Sequence, residues 1–573
     1  MKKITDIILF GLLSLLFVNC SDDFLDKSPK SLISEVDVFK DPNLVDALLA
    51  DLYSRTDFQY QGGSNHNLGA WWQIGGEARA FGPWQDPWQI TYNLPDENGS
   101  RKYDYWVYGN IRAYNDFIQK IESNEILDPE IIKIKSAEAK FLRAWCYFEM
   151  VRRFGGVPLI LAPQDKDVDD LFVARNSEKD IYDYLDTELE VIAEALPEET
   201  EAGRVNKYAA YTFKSRVMLY AASVGEFGGS VQLDGLLGMN SAEADEYWQK
   251  AYNAAQSVIL SGKYALYNKN SDPVQNYINL FLDESENPEP ILSVLFDGAA
   301  GKGHMYDNIG MPMGFASWNS NYNPYLEMVE YFDFVDGRSG MIDRAEFNGE
   351  NHWDIHDLFG KRDPRFRASV FYPESQFQGQ TVWMHQKSVG TRPEDSEVPT
   401  AGPNRNWQRT GFITRKRIDE NHVNPIAGYS STDYHVFRYA EVLLNKAEAA
   451  FYLNKSGEAL ALVNEVRARA GMFPLTEITE ELIRKERQVE LVFEDQRFWD
   501  LRRWRTAYDE LNRVYKGLVF TYDFDATDGE NYIITVKNAD GSDPHIFEER
   551  FYYFPFGLGR ISDNPNLVEN PGY

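Results

Sequence analysis

Trp71, Trp72, Trp84 and Trp88 fall within 18 residues, among Gly69, Gly75, Gly76, Gly82, Pro83 and Pro87. Glycine and proline at that density favour loop over helix. A loop rich in indole costs solubility unless its rings are buried or used. The CH face of a sugar packs on indole, while its hydroxyls need donors and acceptors. Glu77, Arg79, Gln85 and Asp86 can supply those. Each tryptophan taken singly fits a small core under helices as well as it fits a ligand. The group implies at least one ligand contact.

A second constellation is Glu486, Arg487, Glu490, Glu494, Arg497 and Asp500. Glu490 and Glu494 are one turn apart on an expected helix. A glycosidase needs two carboxyls flanking a cleft, one with a raised pKa. Interleaved arginines favour the ionised form instead, so an ion-pair lattice is expected here. His352 and His356 have a spacing that can hold a metal on a helix, but Trp353 stands where HExxH carries glutamate. A solvated or hydrogen-bonded pair is expected. The turn Asp523-Phe524-Asp525-Ala526-Thr527-Asp528-Gly529 resembles a calcium loop with its glycine one place late. Structural calcium is the one cofactor left open, and none is expected. Gly301-Lys302-Gly303 fails the P-loop spacing, and no GxSxG elbow occurs.

The 573 residues carry 58 Lys plus Arg against 89 Asp plus Glu, a net charge of −31. That charge argues against nucleic acid, whose phosphates it repels. A hydrophobic share of 43% excludes a wholly disordered chain. Two cysteines build neither a disulfide framework nor a Cys-rich zinc site. Lys2 and Lys3 precede an apolar run, Ile7 to Val18, that is too short to span a bilayer of about 30 Å. It reads as a signal peptide over 1–19, despite Asp6, and it ends at Cys20. A cysteine there resembles a bacterial lipoprotein cleavage site, although Phe17 and Asn19 depart from the usual pattern. Lipid on Cys20 anchors the chain through 20–35, a polar tether, and leaves Cys146 as a small core residue.

Apolar stripes predict helices that position these groups, over 42–56, 104–122, 177–195, 206–224, 242–261, 433–453, 456–470 and 479–505. Ala137, Phe141, Ala144, Phe148 and Val151 line another, stopped by Gly155-Gly156-Val157-Pro158. Alanine against large rings, as at Ala209, Tyr220, Ala251 and Ala255, suits close helix pairs of the tetratricopeptide kind, in degenerate repeats. The expected organisation is a scaffold over 36–280 with a Trp-rich loop at 60–103. A loop-rich insertion at 281–430, final helices at 431–505 and an irregular segment at 506–573 follow. A strand is expected over Tyr532 to Val536.

Several of these segments carry a family resemblance. They are Arg143 to Phe148 with Arg153 to Leu159, Val205-Asn206-Lys207 to Tyr220, Phe437 to Glu448, Asn464 to Gly471, Glu486 to Leu501, and Asn564 to Tyr573. In this order they resemble the SusD/RagB family of outer-membrane lipoproteins of the Bacteroidetes. Phe554-Pro555-Phe556-Gly557 departs from it by lacking a second proline. Ser21-Asp22-Asp23 resembles a surface-export signal of such lipoproteins.

The resemblance implies a mainly α fold of about four tetratricopeptide-like helix pairs. It also implies a non-enzymatic cell-surface protein that binds glycans and passes them to a SusC-like TonB-dependent transporter. In the family, the site lies where the loop after the first helix meets the segment after the third helix pair. That position singles out Trp84, Trp88 and Trp318 as the platform, with Trp71, Trp72, Glu77, Arg79, Tyr306, Asn319 and Tyr322 around it. A neutral glycan suits the charge best, unless basic residues such as Arg79 and Arg101 act locally. Two alternatives remain at this stage, a secreted helical glycoside hydrolase and an adaptor that grips only the transporter.

Overall fold

The structure, a computed structural model, describes residues 38–58, 70–80, 82, 91, 94–403, 409–542 and 544–573. Cys20, its tether, Trp84 and Trp88 lie outside the described residues. The main helices are α1 Pro42–Arg55, α2 Tyr108–Glu122, α3 Pro129–Phe154, α4 Glu178–Ala195, α5 Lys207–Phe227, α6 Ala244–Leu260, α7 Tyr439–Tyr452, α8 Ser456–Arg469 and α9 Glu480–Glu490. From α2 to α6 each packs on the next. The chain then departs through 261–438, yet α7 docks directly on α6, and α8 on α7. The helical stack is therefore continuous in space across a long interruption in sequence.

Local chemistry explains the helix ends. Asp128 caps α3 by accepting from the Glu130 N–H, with Pro129 in the first turn. Gly155 ends α3 at φ 70°, the left-handed region that glycine enters without strain. Beside it, a Cβ on Gly156 would lie 2.1 Å from the Asn176 carbonyl oxygen. Ala209, Ala222, Ala251 and Ala255 are fully buried and let α5 approach α6 closely. Cys146 is fully buried in α3, and burial pushes its thiol up to about 12, so it is inert packing.

Residues between 305 and 534, joined by Trp72 and Ala78, build a second core around Tyr306, Tyr322, Phe332, Phe359, Phe366, Phe412 and Phe520. Its largest sheet runs in the order Asn348–Trp353, Tyr532–Asn538, Lys516–Asp523, Lys387–Val389. The C-terminal hairpin is thus seated between two strands of the insertion. Pro273–Leu282, expected within the scaffold, instead packs on Pro364–Ser369 and shares a small cluster with Ala368. Among the described residues no helix is long and apolar enough to cross a membrane.

Three helix expectations need correction. Residues 104–107 precede α2, and Tyr434–Arg438, expected at the start of α7, is a strand paired with Pro290–Val294. The expected helix over 479–505 breaks after Glu490 and resumes at Arg497–Arg503. Phe493 and Asp495 take φ of 59° and 62°, so Glu494 is not one helical turn from Glu490. Long-range contacts override the helical pattern here. The Phe493 ring packs on Trp72, Asp495 accepts from two distant backbone N–H groups, and Glu494 turns to Arg438 and Lys416.

These carboxylates form the expected ion-pair lattice. Glu490, fully buried, meets Arg365 at 2.9 Å, Arg438 at 2.7 Å and Arg469. Arg438 also meets Glu289 at 2.7 Å and Glu494 at 2.6 Å, and Arg365 meets Asp363 at 2.7 Å and Glu486 at 2.6 Å. Burial alone would raise the Glu490 pKa, but Arg469, Arg438 and Arg365 outweigh it and hold the carboxyl well below the usual range. A group so held donates no proton at neutral pH, which removes the glycosidase reading of this constellation.

Removing one partner of a buried pair strands the others. Glu490→Gln is therefore expected to destabilise the fold by about 3–5 kcal/mol in chemical denaturation. The exposed pair Arg338–Asp336 sets the contrast, and Arg338→Gln is expected to change stability by less than about 1 kcal/mol.

Candidate functional site

The strand Ala78–Ala80, which follows the helix Ala70–Ile74, pairs antiparallel with Tyr322–Pro324. The segment after α1 thereby meets the segment after α6, the place the family resemblance singled out. The short helix Tyr306–Gly310 and a turn over 311–321 lead into this pairing.

Trp318 sits in that turn with 57% of its surface exposed. Asparagine side chains close the turn around it. The Asn319 amide donates to the Ala316 carbonyl at 3.1 Å, and the Asn321 amide donates to the Ile309 carbonyl at 3.1 Å. The Ser320 N–H donates to the Met311 carbonyl at 2.9 Å, and Ser320 takes φ 56°. Asn319 is thus a turn-former, its amide nitrogen engaged by backbone.

Two buried residues of Tyr306–Gly310 pin a second loop beside this turn. Asp307 accepts from the Asp419 N–H at 3.0 Å and pairs with His422 Nδ1 at 2.9 Å. The Asn308 amide donates both to Ser317 Oγ at 3.0 Å and to the Pro425 carbonyl at 2.7 Å. Val423, Ile426 and Tyr429 on that loop are each more than half exposed. The result is an apolar and aromatic surface, with Trp318 on one side and the 423–429 loop on the other. Such a surface offers a stacking plane next to fixed backbone polar groups.

The sequence-based list of binding residues divides sharply. Trp71 stacks on Phe498 and lies tilted against Trp499, and Trp72 packs edge-on against Tyr322 and Phe493. Tyr306 stacks on Tyr322 with centroids 5.5 Å apart. All four are at least 97% buried, so their assignment as ligand contacts is corrected to core. The backbone N–H groups of Trp71 and Trp72 donate to Asp495 Oδ1 at 3.1 and 3.2 Å, which holds Ala70–Ile74 inward. Burial outweighs these bonds and lifts Asp495 to about 6. Glu77 is buried too, and burial raises its pKa well above the usual range, so it braces the core and does not reach ligand. Arg79, 6% exposed, is bonded through Nε to Asp540. Trp318 remains as the exposed ring of the list among the described residues.

The 423–429 loop was missed. Asn421-His422-Val423-Asn424-Pro425 signals a turn, and apolar residues inside a turn were the available clue. The His352–His356 pair does not share a helix. His352 Nε2 meets Asp523 Oδ2 at 2.8 Å, and His356 Nε2 meets Glu374 Oε2 at 3.3 Å. In the acidic turn, Asp523 accepts from the Asp525 N–H at 3.0 Å, and Asp525 from the Thr391 N–H at 2.9 Å.

The hydrogen bond that His422 Nδ1–H donates to the Asp307 carboxylate raises the His422 pKa above its ordinary value, with burial opposing. Stability from this pair is then complete below about pH 6.5 and is lost as pH rises through the raised value. Amide exchange in 419–429 is expected to speed up between pH 6 and pH 8, relative to the intrinsic rate. In His422→Gln that pH dependence should vanish; its persistence would show that His422 does not control the loop.

Known proteins share this organisation. The SusD family model matches residues 288–573, and a second model, described as starch-binding associating with outer membrane, matches residues 23–219. A SusD-like protein of Bacteroides ovatus is 24% identical, over 97% of this chain and 96% of its own length. The starch-binding protein SusD of Bacteroides thetaiotaomicron is 25% identical, over 85% and 82%. The crystal structure of a SusD-like protein from Bacteroides fragilis superposes with a TM-score of 0.74 at 24% identity, covering 96% of this chain and all of that one. With both of its halves matched and the helical stack and inserted body in common, the chain belongs to the SusD-like family.

Proposed function

We propose that the protein captures glycans at the cell surface and passes them to a SusC-like TonB-dependent transporter, doing no bond-breaking chemistry itself. The observation that carries this reading is Trp318, an indole held more than half exposed by an asparagine-closed turn beside the exposed 423–429 loop. Buried tryptophans explain themselves as core, whereas the Trp318 ring, with Val423, Ile426 and Tyr429 exposed on the neighbouring loop, adds to an apolar and aromatic patch of the kind that binds ligands. Sugar stacking matches it, and one relative, the starch-binding protein SusD, points the same way. The neutralised lattice at Glu490 speaks against a hydrolase.

In this reading Cys20 bears the lipid that holds the body on the outer membrane. The helical stack serves the transporter contact, and the inserted body with Trp318 meets the ligand. The polar, acidic segment after Cys20 links that anchor to the body.

Isothermal titration against a polysaccharide panel tests the binding. Trp318→Ala is expected to weaken the recognised glycan about tenfold, or about 1.4 kcal/mol, without changing the melting temperature. Binding to no glycan, or an unchanged affinity in that variant, would refute the role of the ring. Cys20→Ser is expected to move the protein from the membrane fraction to the soluble fraction; retention on the membrane would refute the anchor.

A further inference from the structure

Three basic residues converge a few residues beyond Trp318, although the chain as a whole is strongly acidic. Asn323 is the joint. Its amide nitrogen donates to the Ser320 carbonyl at 2.8 Å, and its Oδ1 accepts from the Arg409 N–H at 2.6 Å. Arg79 is the residue opposite Asn323 in the pairing of Ala78–Ala80 with Tyr322–Pro324. The next residue after Arg409, Thr410, accepts from the Leu518 N–H at 2.8 Å and lies so close to Gly517 that a Cβ there would meet it at 2.5 Å. Gly517 is opposite Lys537 in the C-terminal hairpin. Strand register and backbone bonds thus bring Arg79, Arg409 and Lys537 to one edge of the inserted body.

Asp540 is bonded to Arg79 and accepts from Tyr325 Oη at 2.8 Å. The Lys537 ammonium has no ion pair and no hydrogen bond among the described residues. Burial, with Arg409 and Arg79 adding repulsion, lowers its ammonium to about 8. A half-buried ammonium without a partner, set beside two guanidiniums, is unfavourable unless an anion completes it. The total charge of −31 does not preclude one. Exposed charges are screened beyond about 8 Å at physiological salt, so a ligand group in contact feels the local cations first.

We propose that the glycan taken by this protein carries anionic groups, uronate carboxylates or sulfate esters, engaged by Lys537 together with Arg409, while Arg79, buried and paired with Asp540, lies behind them. This rests on the glycan-binding reading above and refines its substrate class. Guanidinium pairs with carboxylate and sulfate through paired N–H donors, and the lysine adds a point charge. A sugar stacked on Trp318 leaves the neighbouring units of the same chain to reach this edge.

The test is titration of the full-length protein with two matched sets of oligosaccharides. One set is oligouronates and their carboxyl-reduced counterparts; the other is sulfated galactans and their desulfated counterparts. The expected result is at least about tenfold tighter binding of the charged member in one set, with affinity falling as NaCl rises from 50 to 500 mM. Which set binds identifies the anion. Lys537→Gln is expected to cut the preference for the charged member about tenfold, and Lys537→Arg to keep it. Lys516→Gln, at a hairpin lysine that bonds to Asn538, should leave the preference intact. Neutral members binding as tightly as charged ones, or a preference unaltered in Lys537→Gln, overturns this inference and leaves the glycan reading standing. Failure of all members, and of a broad neutral panel, overturns both.

Discussion

A single buried carboxylate, Glu490, sets the conditions for everything around it. It ends α9 and accepts from Arg365 of the inserted body, from Arg438 at the entry to α7 and from Arg469 at the end of α8. Glu289, which precedes the strand Pro290–Val294, shares Arg438 and Arg469 with it. Taking these charges out of water costs several kcal/mol per ion, which hydrophobic residues of the same volume would not incur. What the lattice provides is geometry. Each guanidinium has fixed donor directions, and few arrangements of these segments satisfy them all. The end of the helical stack and the inserted body are registered to one another through it.

The surface above depends on this registration. Asp495, five residues beyond Glu490, holds the helix Ala70–Ile74 inward by its backbone N–H groups, while Phe493 packs on Trp72. Both residues adopt left-handed φ, a strain of about 1–2 kcal/mol each that surrounding contacts impose. Two of the four clustered tryptophans are thereby consumed as structure. The strand that follows, Ala78–Ala80, delivers the chain to Tyr322–Pro324, where Asn323 accepts from the Arg409 N–H. Asp307 and Asn308 do the corresponding task from the other side, tying the 417–430 loop to the turn that carries the exposed indole.

Charge acts on two scales in this protein. The acidic total keeps a large surface solvated and repels nucleic acid at long range. Within a few ångströms, individual pairings decide. Glu490 stays ionised inside the core because guanidiniums surround it, whereas Glu77 and Asp495, equally buried, are pushed toward the neutral form.

The sequence by itself determined the helix pairs and the glycine exit turn at 155–156, because these depend on periodicity and on residues a few positions apart. It also determined that arginines would neutralise the carboxylates of 486–500, since alternating charge on one segment is a local pattern. Motif order along the chain was enough for the family. The tertiary structure alone decided which rings face solvent. Trp71 and Trp72 are buried by partners distant in sequence, Phe498 for the first and Tyr322 for the second, whereas Trp318 is more than half exposed. It also decided the break after Glu490, the strand at 434–438 and the seating of the C-terminal hairpin between Asn348–Trp353 and Lys387–Val389. Sheet register and side-chain burial are set by non-local packing, and no window of sequence contains both halves of such a contact.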